Sequence, residues 1–144
     1  MRRYTLARRQ SGASLVAQPT IADRLRRRFI VISGDAALLG EFQDALPAGW
    51  EMTPATGLAQ IGKFQEVLLH RFILLDLDEV RTFDPLQIVR ELRSEMMLNV
   101  PIFCFGGSPE MRDGGRLARA DRFFERDEIV ERMKSFCEQY GWGG

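Results

Sequence analysis

Apolar residues follow two alternating patterns along the chain from about residue 28 onward. Short, unbroken apolar runs are typical of strands buried on both faces, and stretches with apolar residues at helical spacing separate them. The predicted strands are FIVIS (29–33), WEMTPAT (50–56), FILL (72–75, closed by Asp76), VPIFCF (100–105) and ADRFFE (120–125). Pro54 in the second run indicates an edge strand, because proline cannot donate a ladder hydrogen bond.

Each predicted strand is followed by a predicted helix. The helical spacing of apolar residues covers 38–46, 58–68, 86–97, 109–118 and 129–140. The third helix begins behind Asp84-Pro85, which supplies a cap and a proline for its first turn. The fourth helix is the weakest prediction, because Gly114 and Gly115 lie inside it.

Five strand–helix units of this kind imply a parallel sheet with helices on both faces. Right-handed crossovers then favour an α/β, doubly wound, flavodoxin-like sheet with strand order 2-1-3-4-5. In such folds, functional residues lie at the carboxyl ends of the strands, around the switch between strands one and three. The segments 33–35 (Ser-Gly-Asp) and 76–78 (Asp-Leu-Asp) fall at this switch.

Charge divides the 144-residue chain into two parts, although its formal net charge is zero. Residues 1–28 contain eight arginines and one acid, Asp23, while the rest has 12 basic and 19 acidic residues. We therefore expect a partly flexible basic arm over 1–27 and one domain over 28–144, with 20–28 able to extend as a helix into strand one. The arm could fold against the acidic body, contact nucleic acid or an anionic surface, or support a homodimer.

Several functional classes are disfavoured by what the sequence lacks. No apolar run approaches the 18 residues of a membrane span, and the start has no secretory h-region, so we expect a cytoplasmic protein. Cys104 and Cys137 are interpreted as buried, reduced thiols without zinc spacing. There is no phosphate-binding glycine motif, although Gly34, Gly106 and Gly107 could line an anion pocket.

A serine-based triad is also disfavoured. Ser33 would need a base, and the single histidine, His70, falls at the start of strand three, at the opposite end of the predicted sheet. We therefore interpret His70 as a turn residue.

Five strand–helix units in about 115 residues, with Asp76 closing strand three in ILLDLD, resemble the receiver domain of bacterial response regulators, the CheY-like fold. The resemblance covers roughly residues 28–140. It implies that Asp76 matches the phosphoryl acceptor of a two-component phosphorelay. It also implies that Phe123 matches the aromatic switch position on strand five.

The sequence departs from the receiver pattern at the positions that support the acceptor. A receiver ends strand one with two adjacent acids that hold Mg²⁺, whereas this chain has Ser33 and Gly34. Asp35 follows one residue late, where we expect it to cap a helix. The serine or threonine that ends strand four is replaced by Gly106, and the lysine of strand five by Arg126.

These departures predict a changed chemistry. Mg²⁺ prefers an octahedron of oxygen ligands with carboxylate help, so Asp76 is only a weak candidate ligand and we expect no cofactor. Strand geometry turns Asp78 away from Asp76 unless the loop curls, and we interpret Asp78 and Glu79 as a solvated loop. Arg126 can pair with Asp76, bidentately if the geometry allows, which would lock one state without phosphate.

We therefore predict a non-enzymatic, atypical receiver (pseudo-receiver) that acts as a stand-alone interaction module. Its partner would be a histidine kinase, a phosphotransfer protein or another regulator. One alternative is a phosphorylatable single-domain response regulator with Asp76 as acceptor, and another is a small flavodoxin-like enzyme or ligand-binding protein. The resemblance implies an interaction face on the fourth helix, fifth strand and fifth helix of the fold, with Met111, Arg112, Arg116, Arg119, Arg122, Phe123, Glu131 and Lys134.

Overall fold

The computed structural model describes residues 20–143, so the flexibility predicted for most of the basic arm concerns residues outside the described part. The strands are β1 (Arg27–Ile32), β2 (Trp50–Ala55), β3 (Ile73–Asp76), β4 (Ile102–Phe105) and β5 (Arg122–Phe124). The α-helices are α1 (Ile21–Leu25), α2 (Ala36–Ala45), α3 (Phe64–Leu68), α4 (Pro85–Arg90), α5 (Pro109–Leu117) and α6 (Ile129–Gln139). None of the helices in the described range is long and apolar enough to cross a bilayer.

The five strands form one parallel sheet in the order β2-β1-β3-β4-β5. The predicted fold class and strand order are therefore confirmed. Strand β2 lies at one edge of the sheet, where Pro54 pairs with Val31 of β1. An edge is the position at which the missing N–H of a proline costs no ladder hydrogen bond.

Both faces of the sheet are buried, because side chains alternate along each strand. On β3, Leu74 faces a cluster under α2 and α6, while Ile73 and Leu75 face a second cluster under α3 and α4. The first cluster is aromatic, with the Phe103 and Phe136 rings stacked at a centroid distance of 4.1 Å. The second is largely aliphatic and contains Cys104, which is fully buried, as predicted.

The predicted helix over 58–68 is wrong, because it is broken in the middle. Leu58–Gln60 form a single 3₁₀ turn, and α3 begins only at Phe64. Between them, Gly62 has a φ of +121°, a conformation that side-chain-bearing residues rarely adopt. A Cβ at this glycine would also lie 2.9 Å from Cγ of Glu66.

Helix α5 was expected to be weak, yet it is regular over nine residues and is capped by Ser108. Its two glycines are positions of close packing: a Cβ at Gly114 would lie 2.6 Å from Cδ1 of Leu86, and one at Gly115 would lie 2.7 Å from Cε1 of Phe123. The cost of glycine in a helix is therefore offset by the approach of α5 to α4 and β5.

The segment ahead of β1 contains a short helix that does not run into the strand as expected. Thr20 and Asp23 form a reciprocal capping box at the start of α1. The helix ends at Leu25, since Arg26 is extended (φ −61°, ψ 136°), and β1 begins at Arg27. Both terminal segments are held by Arg71, which donates hydrogen bonds to the carbonyl oxygens of Leu25, Tyr140 and Trp142.

His70 lies in the turn before β3, as the sequence predicts, but the side chain is buried. Its Nδ1–H donates to the Glu66 carbonyl at 2.8 Å, because a carbonyl can only accept. Nε2 therefore accepts from the Thr53 hydroxyl at 2.9 Å. Burial, the largest cause, lowers the pKa of His70 to about 4, so the neutral imidazole is part of the folded structure.

The buried imidazole predicts a loss of stability in mild acid. The unfolded state binds a proton near the usual histidine pKa of about 6.5, whereas the folded state resists it until about 4. Stability is thus fully present above about pH 6.5, and it falls by about 2 kcal/mol as the pH approaches 4.5. Urea unfolding across this range measures the effect, and His70→Asn, which keeps a donor for Glu66, should show a smaller decline.

Protonation of carboxylates in acid lowers the stability of both the wild type and the His70→Asn variant. The difference between their two curves therefore isolates the contribution of His70. Parallel curves for wild type and His70→Asn between about pH 6.5 and 4.5 would contradict the assignment of a neutral imidazole.

Candidate functional site

The carboxyl ends of three strands converge at one edge of the sheet. Asp35 follows β1 and caps α2, where its Oδ1 accepts from the Leu38 amide at 3.1 Å. Asp76 is the last residue of β3, and Arg126 opens the 3₁₀ turn that follows β5. The topology therefore brings together side chains that are up to 91 positions apart in the sequence.

The carboxylate of Asp76 is 1% exposed, and four hydrogen bonds satisfy it. Oδ1 accepts from Arg126 Nη1 at 2.8 Å and from the Asp78 amide at 2.9 Å. Oδ2 accepts from the Ser33 hydroxyl at 2.7 Å and from Arg126 Nη2 at 3.1 Å. An ionised carboxylate has about four acceptor positions, so this one is saturated.

The guanidinium of Arg126 bridges three carboxylates. Besides its bidentate pair with Asp76, Nη2 donates to Asp35 Oδ2 at 2.6 Å and Nη1 donates to Asp78 Oδ2 at 3.0 Å. The hydrogen bonds to Asp76 are the largest cause that raises the pKa of Arg126 far above its usual value, so the group stays charged at any physiological pH. In return, the hydrogen bond from Arg126 lowers the pKa of Asp35, with the Leu38 amide as the next cause.

Asp78 lies in an exposed loop, as predicted, but it does not turn away from Asp76, because the loop after β3 curls. The Asp78 amide donates to Asp76, and Oδ1 of Asp78 accepts from the Gly107 amide at 2.9 Å. Gly106 and Gly107 make this possible with φ values of +71° and +84°. A Cβ on Gly106 would overlap Asp78 Oδ2, so this approach requires glycine. The paired glycines after strand four were the only signal of it in the sequence.

Ser33 has a role that the sequence analysis did not identify. Its hydroxyl donates to Asp76, accepts from the Asp35 amide at 3.1 Å and is buried. Ser33 therefore stands beside Asp76 as a neutral hydrogen-bond donor. Its neighbour Gly34 packs against Glu79, whose Oε2 would lie 2.6 Å from a Cβ at that position.

The fold family implies Mg²⁺ at this edge, but the arrangement of donors does not fit the ion. Both oxygens of Asp76 are already saturated, and a guanidinium occupies the space between Asp76, Asp35 and Asp78. Within residues 20–143, no group of three or more His, Cys, Asp or Glu side chains is arranged to hold a metal ion. An ion could gain these ligands only if Arg126 left them.

The proposed interaction face contains inward-facing and outward-facing residues. Met111 packs partly against the aliphatic cluster, and Arg112 is turned inward by Nε–H donation to the Gly106 carbonyl at 3.0 Å. Arg116 lies over the Phe123 ring at 4.9 Å, and Leu117, which the sequence analysis did not single out, is 86% exposed. The remaining predicted members contact neighbouring side chains. Arg119 donates a hydrogen bond to the Ser94 hydroxyl, Arg122 lies over the Phe124 ring, and Lys134 forms an ion pair with Glu131.

Comparison with solved structures identifies the fold as that of response regulator receiver domains. The phosphorylated cyanobacterial phytochrome response regulator RcpA matches with a TM-score of 0.66 and 15% identity, over 83% of this chain and 96% of that one. The chemotaxis protein CheY4 of Vibrio cholerae gives 0.63 and 17%, over 79% and 98%. A putative response regulator from Chloroflexus aurantiacus gives 0.60 and 19%, over 78% and 98%. No protein-family model and no curated protein sequence matches the chain significantly.

Replacing Arg126 should destabilise the protein, because it leaves the buried Asp76 carboxylate without its cation. We expect Arg126→Met to lower the free energy of unfolding by about 2 kcal/mol, a value reduced for the partial exposure of the arginine. Arg132→Met is the matched control, since Arg132 forms an exposed pair with Glu128 and should lose under about 1 kcal/mol. Urea denaturation measures both changes.

A second substitution separates the contribution of the ion pair to stability from the contribution of side-chain packing. Adding Asp76→Asn to Arg126→Met removes the uncompensated charge, so the double variant should be more stable than Arg126→Met alone. Equal losses in Arg126→Met and Arg132→Met would show that the ion pair contributes little.

Proposed function

We propose that the protein is an atypical receiver domain that signals by docking to a protein partner, without efficient Mg²⁺-dependent phosphorylation at Asp76. The observation that carries this proposal is the bidentate ion pair between Arg126 and Asp76, extended to Asp35 and Asp78. An internal cation thereby takes the position among the carboxylates that a metal ion would need.

The state of Asp76 argues against phosphoryl transfer. To attack a phosphorus atom, an aspartate oxygen needs a free lone pair, and the transferred group needs cations around its equatorial oxygens. Here each oxygen of Asp76 already accepts two hydrogen bonds. The cation that is present, Arg126, neutralises the acceptor itself and is shared with two further carboxylates.

The same contacts favour a single conformation of the edge. Arg126 ties the turn after β5 to the ends of β1 and β3, and Asp78 ties the loop after β3 to the Gly107 amide. Four loops are therefore held by one hydrogen-bonded cluster. A domain held in this way presents the same surface with or without a phosphoryl donor.

The surface on α5, β5 and α6 has the composition of a docking site. Leu117 is largely exposed, and Phe123 is partly exposed beneath the guanidinium of Arg116. Arginine, aromatic and large apolar side chains are enriched among the residues that dominate interface energies. We therefore assign this face to a protein partner with complementary acidic groups, such as a kinase, a phosphotransfer protein or another regulator.

Treatment with a small phosphoryl donor tests the proposal. The protein is incubated with acetyl phosphate and Mg²⁺, and its intact mass is measured. We expect no added phosphoryl group, because the lone pairs of Asp76 are engaged and Arg126 occupies the cation position. A receiver domain with the complete acidic set, treated in parallel, shows that the conditions support the reaction.

Two further measurements make the outcome decisive. Addition of beryllofluoride and Mg²⁺ should leave the backbone amide spectrum of residues 76–78 and 106–107 unchanged. A mass gain of one phosphoryl group that Asp76→Asn abolishes would overturn the proposal in favour of a phosphorylatable response regulator.

A further inference from the structure

A cavity of about 320 Å³ opens at the amino end of the sheet, opposite the Asp76 cluster. Its apolar lining consists of Leu68 at the end of α3, Leu69 directly after it and Trp142 of the C-terminal segment, and the polar Gln65 of α3 lines it as well. Two cationic side chains, Arg24 of α1 and Arg71, also line it. His70 lines it too and is neutral at physiological pH, since its pKa is about 4.

Large apolar side chains are exposed on the elements that line this cavity. Leu68 and Trp142 are 52% and 57% exposed, and Phe64 lies one helical turn before Leu68 on α3. Ile21 and Leu25, one turn apart on α1, are exposed as well. Of the eight large apolar side chains exposed in residues 20–143, five are on these elements. A concentration of this kind marks an interaction site, whereas single exposed apolar residues are ordinary.

Arg71 holds two of the elements that line the cavity in fixed positions. The side chain is 94% buried, and it donates to the carbonyl oxygens of Leu25, Tyr140 and Trp142 while its guanidinium stacks 3.6 Å from the Trp142 ring. It therefore fixes α1 and the C-terminal segment, which carry two of the walls. Its Nε–H has no acceptor among the described residues, and no carboxylate of the described chain pairs with Arg71 or Arg24.

We propose that this cavity is a docking site for an acidic segment of a partner protein, which inserts an apolar side chain between α1, α3 and Trp142. Charge complementarity selects an acidic partner, because Arg24 and the buried Arg71 both line the cavity and neither pairs with a carboxylate of the described residues. In the sequence, the 20 residues before α1 contain four further arginines and no acid. This inference does not rest on the function proposed for the carboxyl end of the sheet.

Other occupants fit the site less well. A second copy of the chain would bring the same arginines to a symmetric contact, and the arm of the same chain is equally basic. An anionic bilayer presents a smooth surface, whereas the site is a concave cavity that accepts a protruding side chain. A nucleic acid would need a free aromatic ring on which a base can stack, and the one aromatic side chain that lines the cavity, Trp142, already stacks against Arg71.

A peptide-display selection on the full chain tests the proposal. Random peptides of about 12 residues are selected on wild type and counter-selected on Leu68→Ser, and their affinities are measured through the fluorescence of Trp142, with Trp142→Phe identifying its signal. We expect enrichment of Asp and Glu beside a large apolar residue. Binding of the enriched peptides should weaken at least tenfold in Leu68→Ser and in Arg24→Glu.

Matched controls place the same changes elsewhere. Leu117→Ser on α5 and Arg132→Glu on α6 alter an exposed leucine and an exposed arginine at other faces, and they should leave peptide affinity unchanged. A selection repeated on Arg24→Glu should lose the preference for acidic residues.

Several outcomes would overturn the proposal. These are the absence of enriched peptides, enrichment of neutral or basic sequences, and acidic binders that are insensitive to Leu68→Ser and Arg24→Glu. Wild-type binding to phosphatidylserine vesicles or to an oligonucleotide, without any enriched acidic peptide, would assign the surface to a membrane or to nucleic acid instead.

Discussion

The bidentate contact between Arg126 and Asp76 governs the carboxyl end of this sheet. A carboxylate that is 1% exposed is costly unless a cation and hydrogen bonds compensate it, and Arg126 supplies both. Because Arg126 follows β5 while Asp76 ends β3, the pair also fixes the relative position of two loops. The cap of α2, the curl of the loop after β3 and the turn after β4 are all arranged around that pair.

The fold could be predicted from the sequence because its strands are nearly continuous apolar runs. The run that precedes Asp76 needs two covered faces, and its alternation with helical segments favours a parallel sheet between two layers of helices. The break at Gly62 was not predictable from spacing, because the apolar positions on both sides of it keep helical periodicity. The packing roles of Gly114 and Gly115 depend on neighbours from distant parts of the chain, which a local pattern does not contain.

The site could be predicted only in part. That Asp76 and Arg126 could pair follows from strand order, since β3 and β5 end at the same edge. The participation of Asp78 depends on a loop curl that the left-handed Gly106 and Gly107 permit, and strand alternation alone points the other way. The cavity at the opposite end depends on Arg71, whose partners are three backbone carbonyl groups. Because every residue has a backbone carbonyl, such partners cannot be identified from the sequence.

Gly106 restricts which residues can occupy the position after β4. In the receiver domains that the sequence resembles, the residue after strand four is a serine or threonine. Here the backbone at Gly106 has a φ of +71°, and any side chain would collide with Asp78, which is itself bonded to Arg126. A serine or threonine at this position would thus require a different backbone conformation or a shift of the Asp78 carboxylate, which also contacts Arg126. A Gly106→Ser exchange alone would therefore disturb the contacts around Arg126 rather than simply add a hydroxyl group to them.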